Sequence, residues 1–198
     1  MANISKQDSS TKALFESLVT LYKQGQLLLL DADRIMGENG WISMTTTIMS
    51  GLSYALGYPE RWYLRWATRF YAPNVLEGEK FSVASIPFIS IHLASDHDTK
   101  VDEPLVSAGW LLYSKPMNLK EAEKSWDYWM CKYWFYGKPD DTLEGWHKTG
   151  QSQKEENLKG TETFAVPLYD ITSSDKLEEL IIRRLMDRHA DLSIQETT

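Results

Sequence analysis

The stretch 81-FSVASIPFISIHLA-94, followed after a polar interval by 104-PLVSAGWLLYS-114, carries the strongest architectural signal in this chain. Both segments are rich in β-branched and aromatic residues and are apolar at even and odd positions alike. Such segments predict strands that are buried on both faces. The interval 95-SDHDTKVDE-103 is polar, so we expect the two strands to pair as a hairpin lying between helices. Pro87 predicts a bulge or an edge position, because proline cannot donate to a ladder.

The residues before this hairpin predict helices. Apolar residues recur at helical spacing on both sides of Gly25: Leu14, Leu18, Leu21 and Tyr22 before it, and Leu28, Leu29, Ala32, Ile35 and Met36 after it. The pattern fits two helices or one bent helix. The end is predicted at 37-GENG-40, because glycine readily adopts the left-handed conformation that terminates helices.

The stretch 126-WDYWMCKYWFYG-137 predicts an aromatic-rich helix. Its apolar stripe contains Trp126, Trp129, Met130, Tyr133 and Trp134 at the spacing of one helical face. Tyr128 and Phe135 lie off this stripe, which leaves two alternatives. The helix is either sandwiched within the chain, or its outer face meets a ligand or a second subunit.

The remaining segments complete an α+β prediction. Strands are expected at 41–49 and 161–171, and a C-terminal helix at about 175–189. We therefore expect a mainly antiparallel sheet of four or five strands, packed by N-terminal helices, the aromatic-rich helix and the C-terminal helix. One domain, 10–190, is expected between disordered tails at 1–9 and 191–198. The polar segment 138–160 is expected to form a mobile loop or lid.

Bulk composition narrows the classes of function. The 198 residues carry a formal net charge of −7, which argues against general coating of nucleic acids. The longest aliphatic run is four leucines, 27–30, far short of a membrane span. Cys131 is the single cysteine, and the N-terminus lacks an apolar leader core. These features predict a soluble cytoplasmic protein that makes no contact with membranes.

The best functional lead is the segment 61-RWYLRWATRFY-71. Whether it is a strand or a helix, three arginines fall in a row, and as a strand two tyrosines join their face: Arg61, Arg65, Arg69, Tyr63 and Tyr71. Guanidinium groups bind phosphate or carboxylate through paired hydrogen bonds, and tyrosines stack on planar rings. The row predicts a site for an anionic small molecule or an acidic peptide. The alternative is intrachain pairing of the arginines with carboxylates.

A catalytic reading rests on the acidic turn. Asp96, Asp98, Asp102 and Glu103 present oxygen ligands, but the spacing departs from that of a calcium loop. His92 is expected to be a hydrogen-bonded core residue, with a role as general base as the alternative. No Cys/His set at metal-binding spacing and no cofactor motif is present, so neither a metal site nor a cofactor is predicted.

Two hypotheses about function follow. The first is a noncatalytic recognition domain that binds a protein partner or an anionic small molecule through the arginine and tyrosine row, with a homodimer as a further candidate assembly. The second is a small metal-assisted hydrolase or nuclease that uses acids of the 96–103 turn, with His92 or His97 assisting. Catalytic residues are not assigned.

Overall fold

The computed structural model describes residues 8–44, 49–50, 66–74, 82–93, 103–118, 145–149 and 157–195. Within them the chain forms the following elements in order: α1 (Asp8–Glu38), β1 (Trp41–Ser43), β2 (Met49–Ser50), β3 (Trp66–Pro73), β4 (Ser82–His92), β5 (Leu105–Asn118), β6 (His147–Thr149), β7 (Leu158–Pro167), a 3-10 turn (Leu168–Asp170), α2 (Ser174–Leu177), a π turn (Glu178–Ile182) and α3 (Arg183–Gln195).

The strands form an antiparallel sheet in the order β1-β3-β4-β5-β7-β6, and the two-residue β2 also pairs with β3. The predicted α+β class and the central β4–β5 hairpin are confirmed, with Ser90 opposite Ser107 in the register. The predicted count of four or five strands is wrong, since six strands lie on the main path. The predicted strand at 41–49 corresponds to the short strands β1 and β2, whereas β6, three residues long, is too short for a sequence pattern to reveal.

Pro87 lies inside the sheet, opposite Trp110 of β5. On its other side, the β3–β4 ladder ends at the neighbouring pair, Phe70 with Phe88. Proline lacks an N–H group, and at Pro87 the strand β4 pairs only with β5 among the described strands. An interior strand can accommodate proline at such a position. The register shift in the β4–β5 pairing lies nearby, between Val83 and Ser85. Pro87 thus has an edge-like position on its β3 side, where the described β3–β4 pairing ends at Phe88.

The two faces of the sheet carry separate apolar clusters. One, which we call the helix-covered face, packs against α1 and the C-terminal helices and includes Tyr71, Trp110 and Phe164. The opposite face includes Phe70, Phe88 and other buried residues of β4, β5 and β7. Burial on both faces of β4 and β5 agrees with their continuous apolar sequence.

The N-terminal helices prove to be one helix, α1, of 31 residues. Gly25 lies within it without a break, and Gly40 ends the turn after it with a φ of 83°. Only the second half of α1 packs into the core, through residues such as Ala32 and Met36. The first half exposes apolar side chains, among them Leu14. Its apolar spacing predicted the helix correctly but not which turns are buried.

The C-terminal helical run is longer than predicted, because α3 extends to Gln195 within the segment expected to be a disordered tail. Likewise, α1 begins at Asp8, inside the predicted N-terminal tail. The run is held to the sheet by Trp110, whose indole N–H donates to the carbonyl of Leu185 at 3.3 Å. Trp110 also stacks on His189, with ring centroids 5.0 Å apart. These contacts of Trp110 anchor the first turns of α3 to the sheet.

Several predictions concern segments outside the described residues. The aromatic-rich helix at 126–137 is one of them, as are 94–102 and most of 138–160. Within 138–160, strand β6 pairs with β7, so part of the predicted loop belongs to the sheet. Among the helices that the structure describes, none combines the length and apolar character needed to cross a bilayer.

Candidate functional site

A cavity of about 220 Å³ lies between α1 and the helix-covered face of the sheet. Residues from one side of α1 and from β3 and the end of β4 form its walls. Those described are Tyr22, Gly25, Gln26, Leu29, Leu30, Asp33, Ala67, Arg69, Ile91 and Leu93. Leu30 is 55% exposed and marks the side that is open to solvent. The cavity is thus mainly apolar, with a few polar groups, as is typical of small-molecule sites.

Two opposite charges meet in the wall of this cavity. Arg69 donates from Nε to Oδ1 of Asp33 at 3.2 Å and from Nη2 to Oδ2 at 2.5 Å. The arginine side chain is 11% exposed and the aspartate side chain 23%. This paired geometry joins β3 to α1, which are distant in sequence. The described lining therefore has a net charge of zero.

Tyr71 lies two residues after Arg69 on the same face of β3 and is fully buried. Burial raises the pKa of the Tyr71 hydroxyl, and the nearby Asp33 carboxylate raises it further, so the group stays protonated. The Asp33 carboxylate lies close enough to interact with this hydroxyl, but no hydrogen bond of standard geometry links the two groups, and no other described residue accepts from it. A buried donor without a hydrogen-bond acceptor lowers the stability of the folded protein by roughly 1 to 3 kcal/mol. It marks a place where a polar partner would be stabilising.

The structure brings together only part of the predicted arginine and tyrosine row. Arg69 and Tyr71 share one face of β3, as the strand interpretation predicts, and the face is turned towards α1. Arg61, Tyr63 and Arg65 lie outside the described residues. At Arg69 the structure shows the intrachain ion pair that the sequence left as an alternative.

A second polar group of residues lies on the opposite face of the sheet. Thr68 Oγ1 and Ser90 Oγ are 2.6 Å apart, and His92 Nε2 and Ser107 Oγ are 3.0 Å apart. Burial lowers the pKa of His92 to about 3, so its imidazole is neutral at pH 7 and a weak base. His92 is therefore a hydrogen-bonded core residue, and its low basicity does not suit a general base.

The acidic turn yields no site that can be described. Asp96, His97, Asp98 and Asp102 lie outside the described residues, and Glu103 is exposed. Among the residues that the structure covers, no three His, Cys, Asp or Glu side chains come together in a way that could hold a metal ion. The hydrolase hypothesis stays a prediction.

Three charged residues connect β6 and β7 to α3: Lys148, Glu162 and Arg188. Glu162 accepts a hydrogen bond from Nε of Arg188 at 2.5 Å, and its other carboxylate oxygen lies 2.9 Å from Nζ of Lys148. Burial alone would raise the pKa of Glu162, but the hydrogen bonds and charges of Arg188 and Lys148 outweigh it and lower that pKa. Trp146 packs edge-on against Phe164, with centroids 4.7 Å apart. This contact anchors the segment that precedes β6 to the core.

Sequence reasoning missed Asp33, the residue that completes the cavity. One signal was present, because Asp33 follows Leu29 by one helical turn, beside the stripe that α1 buries. A carboxylate so close to a buried stripe needs a cationic or hydrogen-bonding partner. The sequence did not indicate which of the many basic residues would supply it.

Comparison with known proteins finds no matching family model, no significantly similar curated protein and no significantly similar solved structure.

Proposed function

We propose that this protein is a recognition domain that binds a small, neutral molecule with an apolar body and one hydroxyl or amide group in the cavity beside α1. The observation that carries the proposal is a charge-balanced ion pair in an apolar cavity, next to a buried tyrosine hydroxyl without an acceptor.

The size of the cavity limits the ligand. A dry apolar cavity of about 150 Å³ is enough to take up benzene. The volume here, about 220 Å³, suits a single ring or a short branched chain with a few further atoms. The leucine and isoleucine side chains in the walls favour an apolar body.

The charge balance argues for a neutral ligand. Asp33 and Arg69 already compensate each other, so a charged ligand would leave one charge uncompensated in a poorly solvated site. An anionic ligand, as the arginine row predicts, would have to compete with Asp33 for the Arg69 guanidinium. A neutral ligand avoids that competition.

The hydrogen-bonding groups favour a hydroxyl or an amide. The Asp33 carboxylate has acceptor capacity beyond the two bonds from Arg69, and Tyr71 is a donor without a described acceptor. A hydroxyl or primary amide both donates and accepts, so one such group can serve both residues. Satisfying the buried Tyr71 hydroxyl would add to affinity.

Saturation-transfer NMR with three probes of similar size tests the ligand class. Phenol is neutral, benzoate is anionic and benzylamine is cationic at pH 7. We expect phenol to give the strongest saturation transfer. Stronger transfer to benzoate would overturn the neutral-ligand proposal and support the anionic ligand predicted from the arginine row.

Two pairs of variants test the location. Tyr71→Phe should weaken phenol binding several-fold, whereas Tyr169→Phe, at an exposed tyrosine outside the cavity, should not. Leu30→Trp should obstruct the cavity, whereas Leu14→Trp, also at an exposed leucine of α1, should leave binding unchanged. If the members of either pair behave alike, the cavity is not the binding site. Melting temperatures of all four variants verify folding.

A further inference from the structure

We infer that a second groove, on the other side of α1, docks a short basic and apolar peptide segment of a partner protein. The groove lies between α1 and the segment 168–177, and its volume is about 580 Å³. It shares no described lining residue with the cavity beside β3, so this inference is independent of the proposed function.

Hydrogen bonds hold the walls of the groove in place. The Leu168 N–H donates to the carbonyl of Pro104 at 2.9 Å, which fastens one end of the segment to the start of β5. Ser173 caps α2 by accepting from the Lys176 N–H at 3.2 Å. Ser174 Oγ donates to Asp31 of α1 at 2.7 Å and joins the two walls. A preformed groove lowers the entropic cost of binding.

The groove exposes apolar surface at its rim. Leu27 and Tyr169 are 63% and 64% exposed, while Leu177 is buried beneath them in the core. The wall formed by α1 runs from Gln24 to Asp31, about 10 Å at the rise of an α-helix. That length accommodates about three residues of an extended peptide. Apolar side chains of such a peptide would cover Leu27 and Tyr169.

Charge selects a basic partner. Asp31 is the one formally charged residue among the described residues lining the groove, and no described cation pairs with it. Ser174 occupies one acceptor position of its carboxylate, so further positions are open to a guanidinium. Exposed Asp170 and Asp175 belong to the same segment, its one lysine, Lys176, is paired with Glu179 at 2.7 Å, and the chain has a net charge of −7. Arginine suits the site because it can also stack on Tyr169.

A matched pair of peptides tests this inference. The capped tripeptide leucyl-arginyl-leucine amide and its glutamyl counterpart are titrated into the ¹⁵N-labelled protein and followed by amide chemical shifts. We expect the arginyl peptide to shift the resonances of Leu27, Asp31 and Tyr169 and to leave Ala67 and Ile91, in the cavity beside β3, unaffected. The glutamyl peptide should cause no comparable shifts. Equal binding of both peptides, no binding of the arginyl peptide, or shifts confined to other surfaces would overturn the inference.

Asp31→Asn tests the role of the charge while an amide oxygen remains to accept from Ser174. We expect the affinity for the arginyl peptide to fall by roughly tenfold or more, because one charge-assisted contact is lost. Asp187→Asn, which removes an exposed acid of α3, is the control and should have little effect. Equal losses in both variants would show that only net charge matters. Tyr169→Ala, at an exposed position, should also weaken binding and provides a second variant that leaves the core intact.

Discussion

Gly109 of β5 is a residue whose missing side chain is required by the sheet. A β-carbon at this position would overlap the carbonyl oxygen of Glu162 and lie 2.9 Å from the Thr163 α-carbon, both in the backbone of β7. Neither atom can move without displacing the β5–β7 ladder. The close approach of two backbones therefore explains this glycine, as it does in many strand interiors.

We expect Gly109→Ala to destabilise the protein by more than about 2 kcal/mol, in the range of overpacked core substitutions. Urea unfolding monitored by tryptophan fluorescence gives the free energy. Gly145→Ala is the control, since a β-carbon there meets nothing within 4 Å. A similar midpoint for the two variants would show that β5 and β7 are farther apart than described.

At the scale of single elements, α1 separates two openings of different chemistry. One side of the helix contributes Asp33 to the cavity with Arg69, and the other contributes Asp31 to the groove with Ser174. Gly25 faces β4, and a β-carbon added there would lie 3.4 Å from Cδ1 of Ile91. That distance is an ordinary van der Waals contact, so alanine fits.

Gly25→Ala should stabilise the protein by about 0.5 to 1 kcal/mol, the difference in helix propensity between glycine and alanine. Because the methyl group enters the cavity, the same variant should weaken phenol binding. Gly37→Ala, elsewhere in α1 with no atom within 4 Å of the added carbon, should leave phenol binding unchanged. Chemical unfolding and saturation-transfer NMR measure the two effects. A loss of stability in Gly25→Ala would contradict the packing described for α1 on β4.

The contact between α3 and the sheet depends on one buried carboxylate. Arg188→Met should cost about 2 to 4 kcal/mol, because Glu162 is 5% exposed and would keep only Lys148 as its described cationic partner. Arg183→Met, at an exposed arginine of the same helix, is the control and should change stability little. Combining Arg188→Met with Glu162→Gln should recover part of the loss. Full additivity of the two substitutions would show that the residues do not interact.

At the scale of the whole molecule, two buried ionisable groups among the described residues contribute to the response to acid. His92 has a pKa of about 3 in the folded protein and an ordinary value of 6.5, so the unfolded chain binds more protons between these values. Its contribution to stability is full above pH 6.5 and falls as the pH drops towards 3. Glu162 acts in the same direction at lower pH, because its lowered pKa favours the folded state above 4.5.

We therefore expect the free energy of unfolding to fall on acidification below about pH 6.5, by up to roughly 1.4 kcal/mol per pH unit from His92. Urea titrations at a series of pH values between 7 and 4 measure the slope. His92→Gln, which can still hydrogen-bond to Ser107 but does not titrate, should flatten the slope between pH 6 and 5. An unchanged slope in this variant would place the acid sensitivity elsewhere.

Much of the architecture could be predicted from local sequence patterns. Continuous apolar β-rich runs predicted β4 and β5, helical spacing predicted α1 and the C-terminal helix, and Gly40 was placed near the end of α1. These features depend on neighbours within a few residues, where backbone preference and side-chain periodicity act. The same patterns could not separate one bent helix from two, because Gly25 weakens a helix without ending it.

The sequence by itself determined the α+β class and the central hairpin, but it left open whether Arg69 and Tyr71 lie in a strand or a helix, which β3 decides. Only the tertiary structure decided that Asp33 pairs with Arg69, that Arg188 pairs with Glu162, and that β6 joins the sheet. The physical reason is that the interacting groups are far apart in the sequence. An ion pair joins groups that many residues separate, and a three-residue strand forms because its neighbour provides the hydrogen bonds, so neither leaves a periodic trace in the sequence.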